Sequence, residues 1–177
     1  MRKSVYFIYI VCMMTIVVAL SSCRSSGSMS RADYRALARA SLRLGVDIEY
    51  DDNHPFFLYS SQWLGIPYKY GGNDKRGIDC SGLSCAIYRD VFHLKISRTS
   101  RQQFEQDFCT FRNKNKLKPG DLVFFTSPGA SGVVNHVGIY LKAGRFIHSS
   151  SSRGVVVADL QNPYWSQNCV AGGTICK

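Results

Sequence analysis

The sequence has few acidic residues and lacks any concentrated block of basic ones. It contains 12 Asp and Glu against 22 Lys and Arg, for a formal net charge of +10 over 177 residues. Such an excess favours an anionic partner, whether nucleic acid, acidic lipid or an acidic cell-wall polymer, without choosing among them. Because the basic residues are scattered and no nucleic-acid-binding motif is present, we predict a solvated basic surface in an anionic environment and no nucleic-acid partner.

The sequence also lacks internal repeats, coiled-coil patterns and the close ligand pairs of zinc sites. No two Cys or His residues lie two to four positions apart, the spacing that structural zinc sites favour. We therefore expect neither a metal nor an organic cofactor, and keep a zinc site as the less favoured alternative. A hydrophobic fraction of 45% is ample for a single core, so we expect the bulk of the chain to fold as one domain.

The N-terminus has the layout of a secretory signal. Arg2 and Lys3 precede an uncharged run from Ser4 to Leu20, and the small residues Ser21 and Ser22 follow. A basic start, an apolar stretch and small residues before a cleavage point are typical of exported proteins. Lipid anchoring, an uncleaved membrane helix and plain secretion are the three alternatives, and each places the domain outside the cytoplasm.

The cysteine after this run favours the first alternative. The segment Leu20-Ser21-Ser22-Cys23 resembles the bacterial lipobox, in which cleavage exposes a cysteine that carries a lipid anchor. We predict a lipoprotein-type signal peptide over residues 1–22, lipidation at Cys23 and a short tether over residues 23–30. The expected location is the cell envelope, at the outer membrane or on the periplasmic side, with the membrane as a partner through the anchor.

Beyond the tether, predicted helices come first and strands second. This order is typical of an α+β domain, here with an antiparallel sheet of about five or six strands. Helical periodicity and capping residues indicate helices over Ser30–Leu44, Pro55–Leu64, Cys80–Leu94 and Ser100–Phe108. Runs of β-branched and aromatic residues indicate strands over Leu122–Phe125, His136–Leu141, Arg145–His148, Gly154–Ala158 and Val170–Cys176. The expected apolar face of the first helix comprises Tyr34, Leu37, Ala38 and Leu42.

A cysteine at a helix start is the candidate nucleophile. The stretch Gly77 to Tyr88 delivers Cys80 to the first turn of an apolar helix, after a loop of turn-forming residues. A thiol there meets the positive end of the helix dipole and unpaired N–H groups, which lower a thiol pKa and can hold an oxyanion. A buried structural cysteine is the alternative, and the choice depends on whether the chain supplies a base.

Two histidines are placed to supply that base. His136 opens a predicted strand and His148 closes the next one, with Ala143-Gly144 as the connection. If these strands form a hairpin, both imidazoles lie at one end of the sheet. One imidazole can then accept the thiol proton, and the second can orient the first. The alternative is a pair of half-buried structural histidines. The other histidines, His54 and His93, are expected at the surface.

These residues resemble the NlpC-type cell-wall peptidases, papain-like cysteine enzymes of bacterial envelopes. The resemblance runs from about Phe57 to the C-terminus, and its pieces occur in family order. They are Gly65-Ile66-Pro67-Tyr68, Gly71-Gly72, Asp79-Cys80-Ser81-Gly82-Leu83, Ser97-Arg98-Thr99-Ser100 with Gln103, Lys118 to Phe125, His136 to Tyr140, and Phe146-Ile147-His148. The resemblance implies a papain-like fold, with a peptidase domain over residues 31–177 that includes an N-terminal helical extension.

The resemblance also implies a mechanism and a substrate. Cys80 would be the nucleophile, His136 the general base and His148 the orienting third residue, while the Tyr68 hydroxyl would help to hold the oxyanion. Family members hydrolyse amide bonds in peptidoglycan stem peptides, typically the bond between D-glutamate and the diamino acid, which is diaminopimelate or lysine. We keep two alternatives: a lipid-anchored wall-binding protein with a degenerate site, and a muramoyl-alanine amidase with the same triad.

Three further expectations complete the interpretation of the sequence. Asp79 and Ser81 match positions that bind the substrate amine in members acting on short stem peptides. The protein is expected to be a monomer. Besides Cys80, the mature chain would carry four cysteines, and a Cys169–Cys176 bridge and separate buried thiols both remain open for them. These four are Cys85, Cys109, Cys169 and Cys176.

Overall fold

The computed structural model describes residues 29–129 and 132–176. The predicted signal peptide, Cys23 and most of the tether lie outside the described residues. None of the helices within the described ranges is both long enough and apolar enough to span a lipid bilayer.

The first helix, α1, spans Arg31–Leu44 and begins where the sequence predicts. The Asp33 N–H donates to the Ser30 hydroxyl at 3.2 Å, and the Ser30 N–H donates to the Asp33 carboxylate at 3.1 Å. This reciprocal arrangement is a capping box. The predicted apolar face was wrong apart from Leu37, because the buried residues are Leu37, Ala40 and Leu44. Tyr34 and Leu42 are 56% and 84% exposed, and Ala38 is also exposed.

The remaining helices are short and have clear start signals. The Asn53 side chain accepts the Phe56 N–H at 3.1 Å, which caps α2. A two-stranded ribbon then leads into the helix that begins at Cys80. The bounds are α2, His54–Ser61; β1, Asn73–Asp74; β2, Gly77–Ile78; α3, Cys80–Val91; and α4, Ser100–Gln102, which continues as a π-helical turn over Gln103–Asp107.

A six-stranded antiparallel sheet forms the second half of the domain, in the order β3-β8-β4-β5-β6-β7. The α+β prediction is confirmed. The strands are β3, Phe108–Phe111; β4, Leu122–Phe125; β5, His136–Lys142; β6, Arg145–Ser150; β7, Gly154–Asp159; and β8, Cys169–Ile175. The elements that were not predicted include the ribbon strands β1 and β2, the edge strand β3, and the helix α5 over Pro163–Asn168.

The sheet buries both of its faces, as its central strand β4 shows. Leu122 and Phe124 point into the main core, which α3 also lines, whereas Val123 and Phe125 point into a smaller cluster on the opposite face. Successive side chains of a strand point to opposite faces, so a strand buried on both sides is apolar at every position. The smaller cluster is packed against Trp165 of α5. This second layer of packing places an aromatic ring behind the histidines described below.

Among the described residues there is one disulfide, between Cys109 and Cys176, whose Cα atoms lie 5.5 Å apart. It joins β3 to the end of β8, where Phe108 pairs with Ile175. The Cys169–Cys176 alternative is therefore wrong. Cys169 is the first residue of β8 and Cys176 follows its last, and seven residues of extended chain span roughly 23 Å. Cys80, Cys85 and Cys169 are free thiols.

Removing the disulfide is expected to lower the free energy of unfolding by about 4 kcal/mol, because the bond closes a loop of 67 residues in the unfolded chain. Urea denaturation of the Cys109→Ala/Cys176→Ala variant would measure the loss. Cys169→Ala is the matched control, since it removes a half-buried thiol and no cross-link. Equal stability of the double variant and the oxidised wild type would contradict the prediction.

Candidate active site

Cys80 is the first residue of α3, and the chain around it is held tightly. The Asp79 side chain caps the helix by accepting the Gly82 N–H at 2.6 Å. A Cβ atom on Gly82 would lie 2.4 Å from the Gly72 carbonyl oxygen, so only glycine allows this approach of the loop to the helix. The loop also forms a bridge between Tyr68 and Ile78. These contacts place the thiol at the helix N-terminus, as the sequence predicts.

The thiol of Cys80 is nevertheless neutral in this environment. Burial raises the pKa of Cys80, and the backbone N–H groups of Val137, Ser81 and Cys80 itself lower it without cancelling that effect. The expectation of a lowered pKa was wrong, because withdrawal of the thiol from water outweighs the N–H groups around it. To act as a nucleophile, this thiol would need a base that removes its proton.

His136 and His148 form a hydrogen-bonded pair, with His136 Nε2 lying 2.9 Å from His148 Nδ1. They lie on adjacent strands in the register that pairs Ile139 with Ile147, so they are diagonal neighbours on one face of the sheet. The predicted hairpin is confirmed. His93 is exposed, whereas His54 is half-buried at the start of α2, and neither lies on the cavity described below.

Both imidazoles of this pair are neutral at physiological pH. Burial lowers the pKa of His136 to about 4. Burial, assisted by the charges of His136 and Arg153, lowers the pKa of His148 to about 3. If His136 donates from Nε2 to His148, its Nδ1 is left as an acceptor. A neutral His136 in that tautomer can take the proton that the Cys80 thiol must lose.

Trp165 packs against both histidines, and sequence reasoning did not identify it. Its ring stacks on His136 at 5.7 Å between centroids with a 27° tilt, and it meets His148 edge-on at 4.8 Å. The Phe125 ring packs edge-on against the Trp165 ring, with 4.8 Å between the ring centroids. The sequence does contain one indication of the helix that carries Trp165, because Asn followed by Pro is a typical N-cap and first residue of a helix. In the structure the Asn162 side chain accepts the Tyr164 N–H at 3.0 Å. Trp165 thus helps to bury the two imidazoles, and burial lowers their pKa values.

Four of the predicted site residues share one cavity of about 620 Å³. They are Tyr68, Cys80, His136 and His148. Burial raises the pKa of Tyr68, with further contributions from the charges of Cys80 and Asp79, so its hydroxyl keeps its proton and can donate a hydrogen bond. The cavity thus brings together a thiol, an imidazole pair and donors from a helix N-terminus and a phenol. This arrangement can carry out nucleophilic acyl transfer.

Asp79 and Ser81 lie beside the site and not on the cavity wall. Both Asp79 oxygens accept from Arg98, at 2.9 and 2.8 Å, and Arg98 also donates to the Ser81 hydroxyl at 3.0 Å. Burial raises the pKa of Asp79, but Arg98 and the Gly82 N–H outweigh this and leave the pKa low. Contact of Asp79 and Ser81 with a substrate amine stays a prediction. The structure adds Arg98 as the residue that neutralises Asp79.

Comparisons with known proteins agree with this geometry. The profile described as the NlpC/P60 family matches residues 65–174. The "Probable endopeptidase NlpC" of Escherichia coli K12 is 47% identical over 107 residues, which cover 60% of this chain and 67% of that protein. The "Murein DD-endopeptidase MepS/Murein LD-carboxypeptidase" of the same organism is 37% identical over 107 residues, which cover 60% of this chain and 54% of that protein.

The fold comparison gives the same result. A solved NlpC/P60 family protein from Bacillus cereus ATCC 10987 superposes with a TM-score of 0.62 at 30% identity, covering 72% of this chain and 41% of that one. The chain therefore spans only part of the relatives that it matches, and the match falls on the segment that carries the cavity.

Proposed function

The chain belongs to the NlpC/P60 family, and on that premise we propose that it is a cysteine endopeptidase that hydrolyses the stem peptides of peptidoglycan. The observation that carries the proposal is the shared cavity. It places Cys80, at the start of α3, together with a histidine pair joined at 2.9 Å. An intact nucleophile, base and orienting residue argue against a degenerate wall-binding protein.

The reaction begins with a neutral Cys80 thiol and a neutral His136 imidazole. His136 takes the Cys80 proton as the sulfur attacks the amide carbonyl carbon, and the oxyanion is held by N–H groups at the start of α3 and by the Tyr68 hydroxyl. His136 then returns the proton to the leaving amine as the C–N bond breaks, which leaves a thioester on Cys80. A water molecule, deprotonated by His136, attacks the thioester carbonyl, and the thiol is regenerated. His148 holds His136 in the required orientation throughout.

The proposed scissile bond is the D-glutamyl–diamino acid bond, which the resemblance to the family implies. A second candidate is the cross-link between stem peptides, and it is supported by a relative that bears the name murein DD-endopeptidase. The two bonds give products of different mass, because only the first leaves a fragment that ends in D-glutamate.

Digestion of purified peptidoglycan by the full chain tests the proposal. Wild type is expected to release peptide fragments, whereas Cys80→Ala releases none. Cys85→Ala is the matched control, since Cys85 lies on the same helix but bonds to the Ser97 carbonyl at 3.2 Å, away from the cavity. If wild type and Cys80→Ala yield the same fragments, the enzyme proposal is wrong. Release of peptides that begin at the muramoyl-linked alanine would instead assign an amidase.

We further propose that the protein is anchored in the cell envelope through a lipid on Cys23. The lipobox-like segment Leu20-Ser21-Ser22-Cys23, with the apolar run before it, supports this proposal. Radioactive palmitate should label the wild type and leave Cys23→Ala unlabelled. Equal labelling of both would exclude the anchor.

A further inference from the structure

The described wall of the cavity around Cys80 has a single cationic side chain, since its two histidines are neutral, and it has no carboxylate. The cation is Arg153, in the turn between β6 and β7. Most of the remaining wall consists of hydroxyl and amide groups, including Ser151, Ser152, Asn162 and Tyr164. Such a wall attracts an anionic group and offers it neutral hydrogen-bond donors once it has entered.

The backbone holds Arg153 at this position although its side chain is exposed. The next residue, Gly154, has φ +70°, and a Cβ atom there would lie 2.4 Å from the Ile66 carbonyl oxygen. The Val155 N–H donates to that carbonyl at 2.8 Å, and the Gly65 N–H donates to the Val155 carbonyl at 2.9 Å. The turn is therefore pinned to the loop that leads to Tyr68. The guanidinium can swing, but its point of attachment stays at the edge of the cavity.

No carboxylate within residues 29–129 and 132–176 forms an ion pair with this guanidinium. By contrast, Arg76, Arg89 and Arg98 lie 2.7, 2.6 and 2.8 Å from carboxylate oxygens of the chain. The charge of Arg153 also acts on the histidine pair, because it contributes to the lowered pKa of His148. An unpaired cation thus lies within electrostatic reach of the catalytic groups.

We propose that Arg153 binds a free carboxylate of the substrate next to the scissile amide. This inference rests on the proposed peptidase function and assigns a recognition group to it. A γ-linked D-glutamate keeps its α-carboxylate free, because the peptide continues through the side chain. The planar guanidinium can grip such a carboxylate with two parallel hydrogen bonds. A carboxylate of the diamino acid offers the same chemistry from the other side of the scissile bond.

Three synthetic stem peptides separate these sources: one with both carboxylates free, one with the D-glutamate carboxylate amidated, and one with the diamino acid carboxylate amidated. Wild type is expected to prefer the free D-glutamate carboxylate over its amide by about 10- to 100-fold in kcat/KM, mostly through KM. Arg153→Ala should lose this preference, and Arg153→Lys should restore part of it. Arg145→Ala, an exposed arginine of β6 outside the cavity, should keep it.

A preference confined to the diamino acid carboxylate, and lost in Arg153→Ala, would keep the assignment of Arg153 and place the anion on the other side of the bond. Equal loss on all three peptides, or a preference that survives Arg153→Ala, overturns the proposal. If wild type cleaves no peptide, the peptidase function fails. In that case, the affinities of the same peptides for Cys80→Ala and for Cys80→Ala/Arg153→Ala, measured by calorimetry, show whether Arg153 binds a carboxylate. Identical affinities overturn the proposal.

Discussion

Replacing His136 with glutamine is expected to lower kcat/KM on a stem peptide by roughly 10²- to 10⁴-fold, the usual contribution of a general base. The effect is large because burial raises the pKa of Cys80, so little thiolate forms without a proton acceptor. Rates of alkylation of Cys80 by iodoacetamide, followed by mass spectrometry, should fall in parallel. Unchanged alkylation together with lost turnover would instead place the role of His136 after the first attack.

His148 provides the matched comparison for this experiment. His148→Asn keeps an acceptor for His136 Nε2, which lies 2.9 Å from the present imidazole nitrogen, whereas His148→Ala removes it. Activity should therefore decline in the order wild type, His148→Asn, His148→Ala. The wild-type rate should also fall only below about pH 4, because the base must be neutral and burial lowers the pKa of His136 to about 4. An acidic limb near pH 6.5 would contradict this assignment.

Replacing Arg98 with alanine is expected to cost about 3–5 kcal/mol of folding free energy, as is typical when a buried charge loses its partner. The Asp79 side chain is only 10% exposed, whereas that of Arg98 is 41% exposed. Removal of Arg98 thus leaves a carboxylate shielded from water directly before Cys80. We expect a lower urea midpoint at pH 7 and a smaller loss at acidic pH, where Asp79 can be protonated.

The opposite substitution is the control. Asp79→Asn keeps an oxygen that can accept the Gly82 N–H, and the partly exposed guanidinium that remains can be hydrated. It should therefore cost less than Arg98→Ala, and the Asp79→Asn/Arg98→Ala variant should be less destabilised than the sum of the two single changes. Additive losses would show that the two groups do not interact across the cap of α3.

Much of the fold and of the candidate site was predictable because the sequence signals for them are local. Strand β4, Leu122–Phe125, has the predicted bounds, and the strands that carry His136 and His148 differ from prediction only at their ends. Turn residues such as Ala143-Gly144 mark a hairpin irrespective of the rest of the chain, and the hairpin alone brings the two imidazoles together. The same logic placed Cys80 at a helix start.

The missed features depend on residues that are distant in the sequence. Trp165 lies on a six-residue helix with no buried residue of its own, so no apolar periodicity could reveal it. The edge strand β3 was not predicted, and its first residue, Phe108, was placed at the end of a helix. The position of this strand is set by pairing with β8 and not by its own four residues. The disulfide partner of Cys176 followed from that same pairing.

Local sequence was therefore sufficient to place Cys80 at a helix start and His136 and His148 on one hairpin, since helix caps, strand composition and turns are encoded within a few neighbouring residues. The protonation states of those residues and the partners of Asp79 required the tertiary structure. A pKa depends on how much water the whole fold excludes, and burial reversed the expected direction for Cys80. The ion pair of Asp79 with Arg98 joins residues 19 positions apart, and only packing brings such groups into contact.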